Sequence, residues 1–157
     1  MTFGKLIEDM GKNLGVELVD EGGATVVEVD GSAIAIHAAG ADLLLIHADM
    51  GEIPPESRDA VLAAAMEANF LYQGTGGATF ARDPANGHLH LQRYDWLARL
   101  DADRAADALT RFADTIAAWR RIAADLGQAP SAEQATSDKK ESPSAPGAAS
   151  EGDFIKV

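Results

Sequence analysis

The 157-residue chain contains no cysteine. Disulfides, thiolate metal sites and thiol nucleophiles are therefore excluded, and the composition suits a reducing compartment. Cations are scarce: 13 Lys and Arg stand against 25 Asp and Glu, a formal net charge of −12. A field of that sign repels phosphate backbones and anionic membrane surfaces, so neither nucleic acid nor membrane is an expected partner. Long apolar runs are missing too, and no segment approaches the ~20 residues that span a bilayer. The opening residues, MTFGKLIEDMGKNLG, carry Glu8 and Asp9 where a secretory signal needs its apolar stretch. The chain is expected to stay where it is made.

What is present suffices for a core. Hydrophobic residues make up 46% of the chain, which suits one domain followed by a tail. Phe3, Leu6, Ile7, Met10 and Leu14 recur at three- and four-residue steps and predict a helix over 3–14. Thr2 suits its cap and Gly15 its stop. Three strands follow at Thr25–Asp30, Ser32–Ala38 and Asp42–Met50, with Val16–Asp20 as an extension of the first. Gly22-Gly23, Asp30-Gly31 and Ala39-Gly40 punctuate them. The run Leu43-Leu44-Leu45-Ile46 is apolar on both faces and predicts an interior strand. Pro54-Pro55 ends this segment, and Pro55 opens a helix running to Gln73. Thr79–Asp83 and His88–Asp95 form a strand pair around the turn Pro84-Ala85-Asn86-Gly87. A last helix spans 102–126, with Leu109, Phe112, Ile116, Trp119, Ala123 and Leu126 as its apolar stripe. Gly127 and Pro130 end it.

The order α-β-β-β-α-β-β-α predicts an α+β fold, one antiparallel sheet of about five strands flanked by three helices. The domain occupies residues 1–127. Residues 128–157 turn to Ala, Ser, Pro, Gly, Glu and Lys, the composition of a flexible tail. The tail closes on a short apolar segment. Its Phe154, Ile155 and Val157 are candidates for docking into an apolar groove of the same or a neighbouring subunit.

Catalytic chemistry finds little support. His88 and His90 lie two apart on a predicted strand and so share a face, a spacing that places two imidazoles on one metal. A small metal-dependent enzyme is therefore an alternative reading, but a site needs a third ligand. The simpler reading is a polar face alternating with Leu89 and Leu91. His37 and His47 sit singly on their strands. Gly74-Thr75-Gly76-Gly77 lacks the lysine of a phosphate-binding loop and follows a helix where a dinucleotide site needs a strand. No serine sits in a nucleophile elbow. No catalytic residue, metal site or cofactor is expected.

The helix over 56–73 stands apart. Val61, Leu62, Ala65, Met66 and Phe70 mark one side, while Ala64, Ala68, Leu71 and Tyr72 mark much of the other. Between Ala60 and Tyr72 the only polar residues are Glu67 and Asn69. A surface helix carries a polar face of similar width to its apolar one. This helix needs cover on two sides. The sheet supplies one. The other is a second subunit, two-fold pairing being the commonest device, or the last helix of the same chain.

In element order, size and acidity the chain resembles the class I type III secretion chaperones, the Tir-chaperone-like family. The stretch Leu62 to Leu126, beginning LAAAMEANFLYQGTGGATFARDPANGHLHLQRYDW, carries most of the resemblance: Glu67-Ala68-Asn69, the glycines after it, Ala81 and Asp83, Leu91 and Trp119. Residues 1–127 are covered, and the tail lies outside the pattern. The resemblance implies a homodimer in the bacterial cytoplasm that binds the N-terminal segment of a secreted effector, extended and without ATP. It implies a dimer interface at Val61, Leu62, Ala65, Met66, Asn69 and Phe70. It places effector binding on the first helix and the sheet, near Leu6, Met10, Val27, Val29, Ile34, Ile36, Leu44 and Ile46. A non-catalytic adaptor or regulatory dimer of a secretion system is the alternative. An unfolded client offers apolar anchors and unpaired backbone, which grooves and an open sheet edge accept. The acidic surface favours basic client segments.

Overall fold

The computed structural model describes residues 2–128. Helix α1 spans Phe3–Leu14, capped by the Thr2 hydroxyl, which accepts from the Lys5 N–H, and closed by Gly15 in the left-handed conformation at φ 70°. Strands β1 (Ala24–Val29), β2 (Ser32–Ala39) and β3 (Leu43–Gly51) follow as hairpins. A single 3-10 turn at Pro55–Ser57 leads into α2 (Arg58–Asn69). After it come β4 (Thr79–Arg82), β5 (Leu89–Trp96) and the long α3 (Ala102–Gln128). Residues Val16–Asp20, expected to lengthen the first strand, form no strand. Gly22 and Gly23 at φ 74° and 94° turn the chain there.

The five strands make one antiparallel sheet in the order β1-β2-β3-β5-β4. The interior place expected for β3 is observed: Leu45 lies between His37 of β2 and Tyr94 of β5. The β4–β5 turn forms as its sequence predicts. Asp83 accepts from the Ala85 N–H, Asn86 accepts from the His88 N–H, and Gly87 takes φ 80°.

The sheet is one-sided. Val27, Ile34, Ile36, Leu44, Ile46, Leu89 and Leu91 point to one face and are buried in a single cluster with Phe3, Leu6, Ile7 and Met10 of α1 and Leu109, Phe112, Ile116 and Trp119 of α3. Burying each large side chain is worth about 1.5–3 kcal/mol. The alternate residues of every strand face the other way, and none is buried. Period two thus assigns the bulky set inward and Ala33, Ala35, His37 and His47 outward. Among the described residues no helix is long and apolar enough to cross a membrane.

Candidate protein-interaction surfaces

Helix α2 stops at Asn69, four residues before the expected end, because Asn69 is taken by the sheet. Its side-chain amide donates to the Phe80 carbonyl at 3.2 Å, and its side-chain oxygen accepts from the Phe80 N–H at 2.8 Å. Gly74 then packs on Ala68, where a Cβ would approach the Ala68 Cβ to 2.6 Å. The Trp119 indole donates to the Gly74 carbonyl at 2.9 Å, and its ring meets Phe80 edge-on at 4.4 Å. Between these two anchors the chain crosses Phe70–Tyr72. Leu71 and Tyr72 take φ 52° and 57°, a left-handed conformation that costs bulky residues about 1–3 kcal/mol each.

The result is an apolar projection with nothing over it among the described residues. Met66 is 70% exposed, Phe70 and Leu71 are each 68%, and Tyr72 is 56%. α3 does not sandwich this side of the helix. The six residues expected at a dimer interface divide accordingly. Val61 and Ala65, one helical turn apart, are buried in the protomer core and face away from any partner. Leu62 is half-buried against that core, and Asn69 is committed to Phe80. Only Met66 and Phe70 of the six project outward. Leu71 and Tyr72, which an unbroken helix puts on another side, join them because the helix has ended.

The residues expected to bind an effector are corrected more thoroughly. Leu6, Met10, Val27, Ile34, Ile36, Leu44 and Ile46 are buried, and Val29 is half-buried. They form one coherent face, and α1 and α3 cover it. Val27 and Val29 alone reach an opening. With Leu14, Val16, Leu109 and Ala113 they line a groove of about 290 Å³ between α1, β1 and α3, rimmed by Glu28, Asp30 and Asp114. It lies beside β1, an edge strand. On the bare face of the sheet, Val26, Tyr94 and Trp96 are more than half exposed. Sequence reasoning missed these three, although Val26-Val27 and the Tyr94/Trp96 alternation mark apolar residues on both faces.

His88 and His90 both approach the Asp49 carboxylate, His90 through its Nε2 at 3.9 Å. His88 lies before β5, with its Nδ1 2.9 Å from the Asp49 carboxylate. His90 points to the bare face and stacks on His47 with ring centroids 4.8 Å apart. The His47 Nε2 and His90 Nδ1 are 2.7 Å apart, so one donates and the other accepts. His47 is therefore paired, not solitary. Burial, with the neighbouring His90 and His37 imidazoles, pushes His47 below its ordinary value. Among the described residues no three His, Asp or Glu side chains are placed to hold one metal ion. The tail residues Phe154, Ile155 and Val157 lie outside the described residues.

These features define a class: a small α+β domain with a helix-covered sheet and bare apolar surfaces suited to binding protein. The particular family follows from the sequence, which matches the Tir chaperone protein (CesT) family over residues 5–120. The chain belongs to that family. Comparison with curated proteins returns no match. Among solved structures, the fold is similar to that in the complex of the Yersinia pestis type III secretion chaperone SycH with a stable fragment of YscM2. The TM-score is 0.62 at 19% identity, over 75% of this chain and 99% of that one. The ExsC–ExsE complex gives 0.62 at 18% identity, over 77% and 96%. The HopA1–SchA chaperone–effector complex gives 0.61 at 19% identity, over 74% and 91%. At these identities the likeness is one of fold.

Proposed function

We propose that this protein is a homodimeric type III secretion chaperone that keeps the N-terminal segment of a secreted effector extended and export-competent, without ATP. The observation that carries the proposal is unspent apolar surface on a domain of this family. Met66, Phe70, Leu71 and Tyr72 are exposed together although two of them sit in strained backbone. A second copy seated there covers them and compensates the strain. The client then binds elsewhere. The groove of Leu14, Val16, Val27, Val29, Leu109 and Ala113 supplies pockets for apolar anchors, and the edge of β1 supplies backbone partners for an extended segment. Glu28, Asp30 and Asp114 on its rim favour client segments with basic residues. The protein acts by binding, not catalysis, in the bacterial cytoplasm.

The test is co-expression with N-terminal segments of secreted effectors, followed by purification through a tag on this chain. Stable retention of one such segment is expected, with α1 and β1 amides gaining protection from hydrogen exchange. Retention of none, or equal retention by a Val27→Asp/Leu109→Asp variant that still folds, overturns the assignment.

A further inference from the structure

The cations of this acidic chain are not spread evenly. Residues 2–128 hold ten Lys and Arg, and four of them, Arg93, Arg99, Arg104 and Arg111, line one notch with Tyr94, Asp95, Trp96 and Leu100. The notch has a volume of about 280 Å³. Its walls come from β5, from the turn Leu97–Arg99 and from α3, where Arg104 and Arg111 are seven residues apart and share a face.

Charge in the notch is unbalanced. Its one carboxylate, Asp95, is taken by Arg93, which donates from Nε and Nη2 at 2.6 and 3.0 Å. Arg104 sits 3.6 Å from Asp101, in an exposed pair that holds weakly in water. Arg99 and Arg111 make no ion pair among the described residues. Asp107 and Asp114 flank Arg111 on α3 without pairing with it. Two exposed guanidiniums are thus left beside two exposed aromatic rings.

The backbone there is unfinished too. β4 pairs with β5 only from Thr79↔Gln92 to Arg82↔Leu89. Arg93–Trp96 run past the end of β4, paired with β3 on one flank and, among the described residues, with no strand on the other. Gly76, whose carbonyl accepts from Arg93 Nη1 at 3.3 Å, closes the near end.

We propose that this notch binds an extended acidic peptide segment of a partner protein, which adds as a strand along the open flank of Arg93–Trp96. Strand addition satisfies the unpaired backbone. Same-side residues of an extended peptide lie about 7 Å apart, so carboxylates two to four residues apart reach Arg99, Arg104 and Arg111 together. Guanidinium–carboxylate geometry favours such pairs. Tyr94 and Trp96 cover the apolar residues between them. A polyphosphate fits less well, because it offers no strand to pair with the open flank. The site differs in place and in charge preference from the client groove at β1, and it does not depend on the export reading.

The test uses the full chain and a fluorescein-labelled peptide of alternating Glu and Val, followed by fluorescence anisotropy. Binding is expected to weaken as salt rises. Arg99→Gln/Arg111→Gln is expected to weaken it at least about tenfold without moving the thermal midpoint, since both side chains are exposed. Arg58→Gln/Arg121→Gln, outside the notch, should leave it unchanged. A central proline in the peptide should abolish it. Equal binding by the notch variant, equal binding of a Lys/Val peptide, or tighter binding of a single-stranded oligonucleotide overturns the proposal. So does a tenfold gain on deleting 129–157, which assigns the notch to the chain's own acidic tail.

Discussion

Met66→Glu separates a dimer seam from a merely exposed patch. Met66 is 70% exposed in the protomer, so the substitution removes no contact of the folded chain and keeps a good helix former. In a dimer joined over Met66, Phe70, Leu71 and Tyr72 the position is covered. Each subunit then loses about 2 kcal/mol of methionine burial. Each also pays about 2 kcal/mol or more to desolvate an unpaired carboxylate. Two-fold symmetry applies the sum twice and places the two charges near one another. Half of that total, about 4 kcal/mol, already raises Kd by about a thousandfold. Sedimentation velocity over a dilution series is the assay, with far-UV circular dichroism to confirm that the variant folds. The unsubstituted chain is expected at twice its 16.4 kDa protomer mass and the variant at 16.4 kDa. The reasoning fails if the variant dissociates no more readily than the unsubstituted chain. It also fails if the unsubstituted chain sediments as a protomer throughout.

Two further outcomes follow from other parts of the molecule. Asn69→Ala leaves the part-buried N–H and C=O of Phe80 without partners, so the urea midpoint should fall by the equivalent of about 1–3 kcal/mol; an unchanged midpoint refutes the anchor. His47 titrates below its ordinary value of 6.5 because it is buried against His90 and His37. The unfolded chain thus takes up protons first as the medium is acidified. Stability from this group is full above pH 6.5 and is lost as pH falls through the folded value. Thermal midpoints should drop as pH goes from about 7.5 to 5.5, and the drop should be smaller in His47→Gln; identical profiles refute the pairing.

Most of the fold was legible from local signals. The hairpin glycines, the proline pair before α2 and the three-and-four spacing of α1 and α3 each act within a few residues. Two long-range contacts were not legible. Asn69 ends α2 only because Phe80 lies beside it, and Trp119 holds Gly74 from 45 positions away. The surfaces were legible only in part. Of the α2 residues expected at a seam, Met66 and Phe70 are exposed on the protomer while Val61 and Ala65 are buried in it, since an excess of apolar residues does not say which side is inside. The effector residues failed for a sharper reason. Val27, Val29, Ile34, Ile36, Leu44 and Ile46 share a face by period two, and choosing that face inverted the assignment. The alternate set on β2, Ala33, Ala35 and His37, is smaller and more polar, and this size difference was the signal for which side the helices cover.

A one-sided sheet explains why binding surfaces collect where they do. α1 and α3 cover one face, so that face is spent on stability. What remains is the bare face, the lateral edges and the break after α2. At each of these the chain departs from an ordinary surface. The break carries four exposed apolar residues, two of them in strained backbone. The β1 edge carries an apolar groove with an acidic rim. The notch at the overhang of β5 gathers four of the eight arginines of residues 2–128, next to Tyr94 and Trp96. Exposed apolar area that serves no partner is a solubility liability, and an unpaired strand flank is an aggregation liability. A chain with a net charge of −12 resists non-specific association through self-repulsion and can carry such surfaces in solution. Acidity and apolar exposure are therefore coupled features of one design. On the proposed reading the apolar surfaces bind, and the charge keeps them from binding indiscriminately.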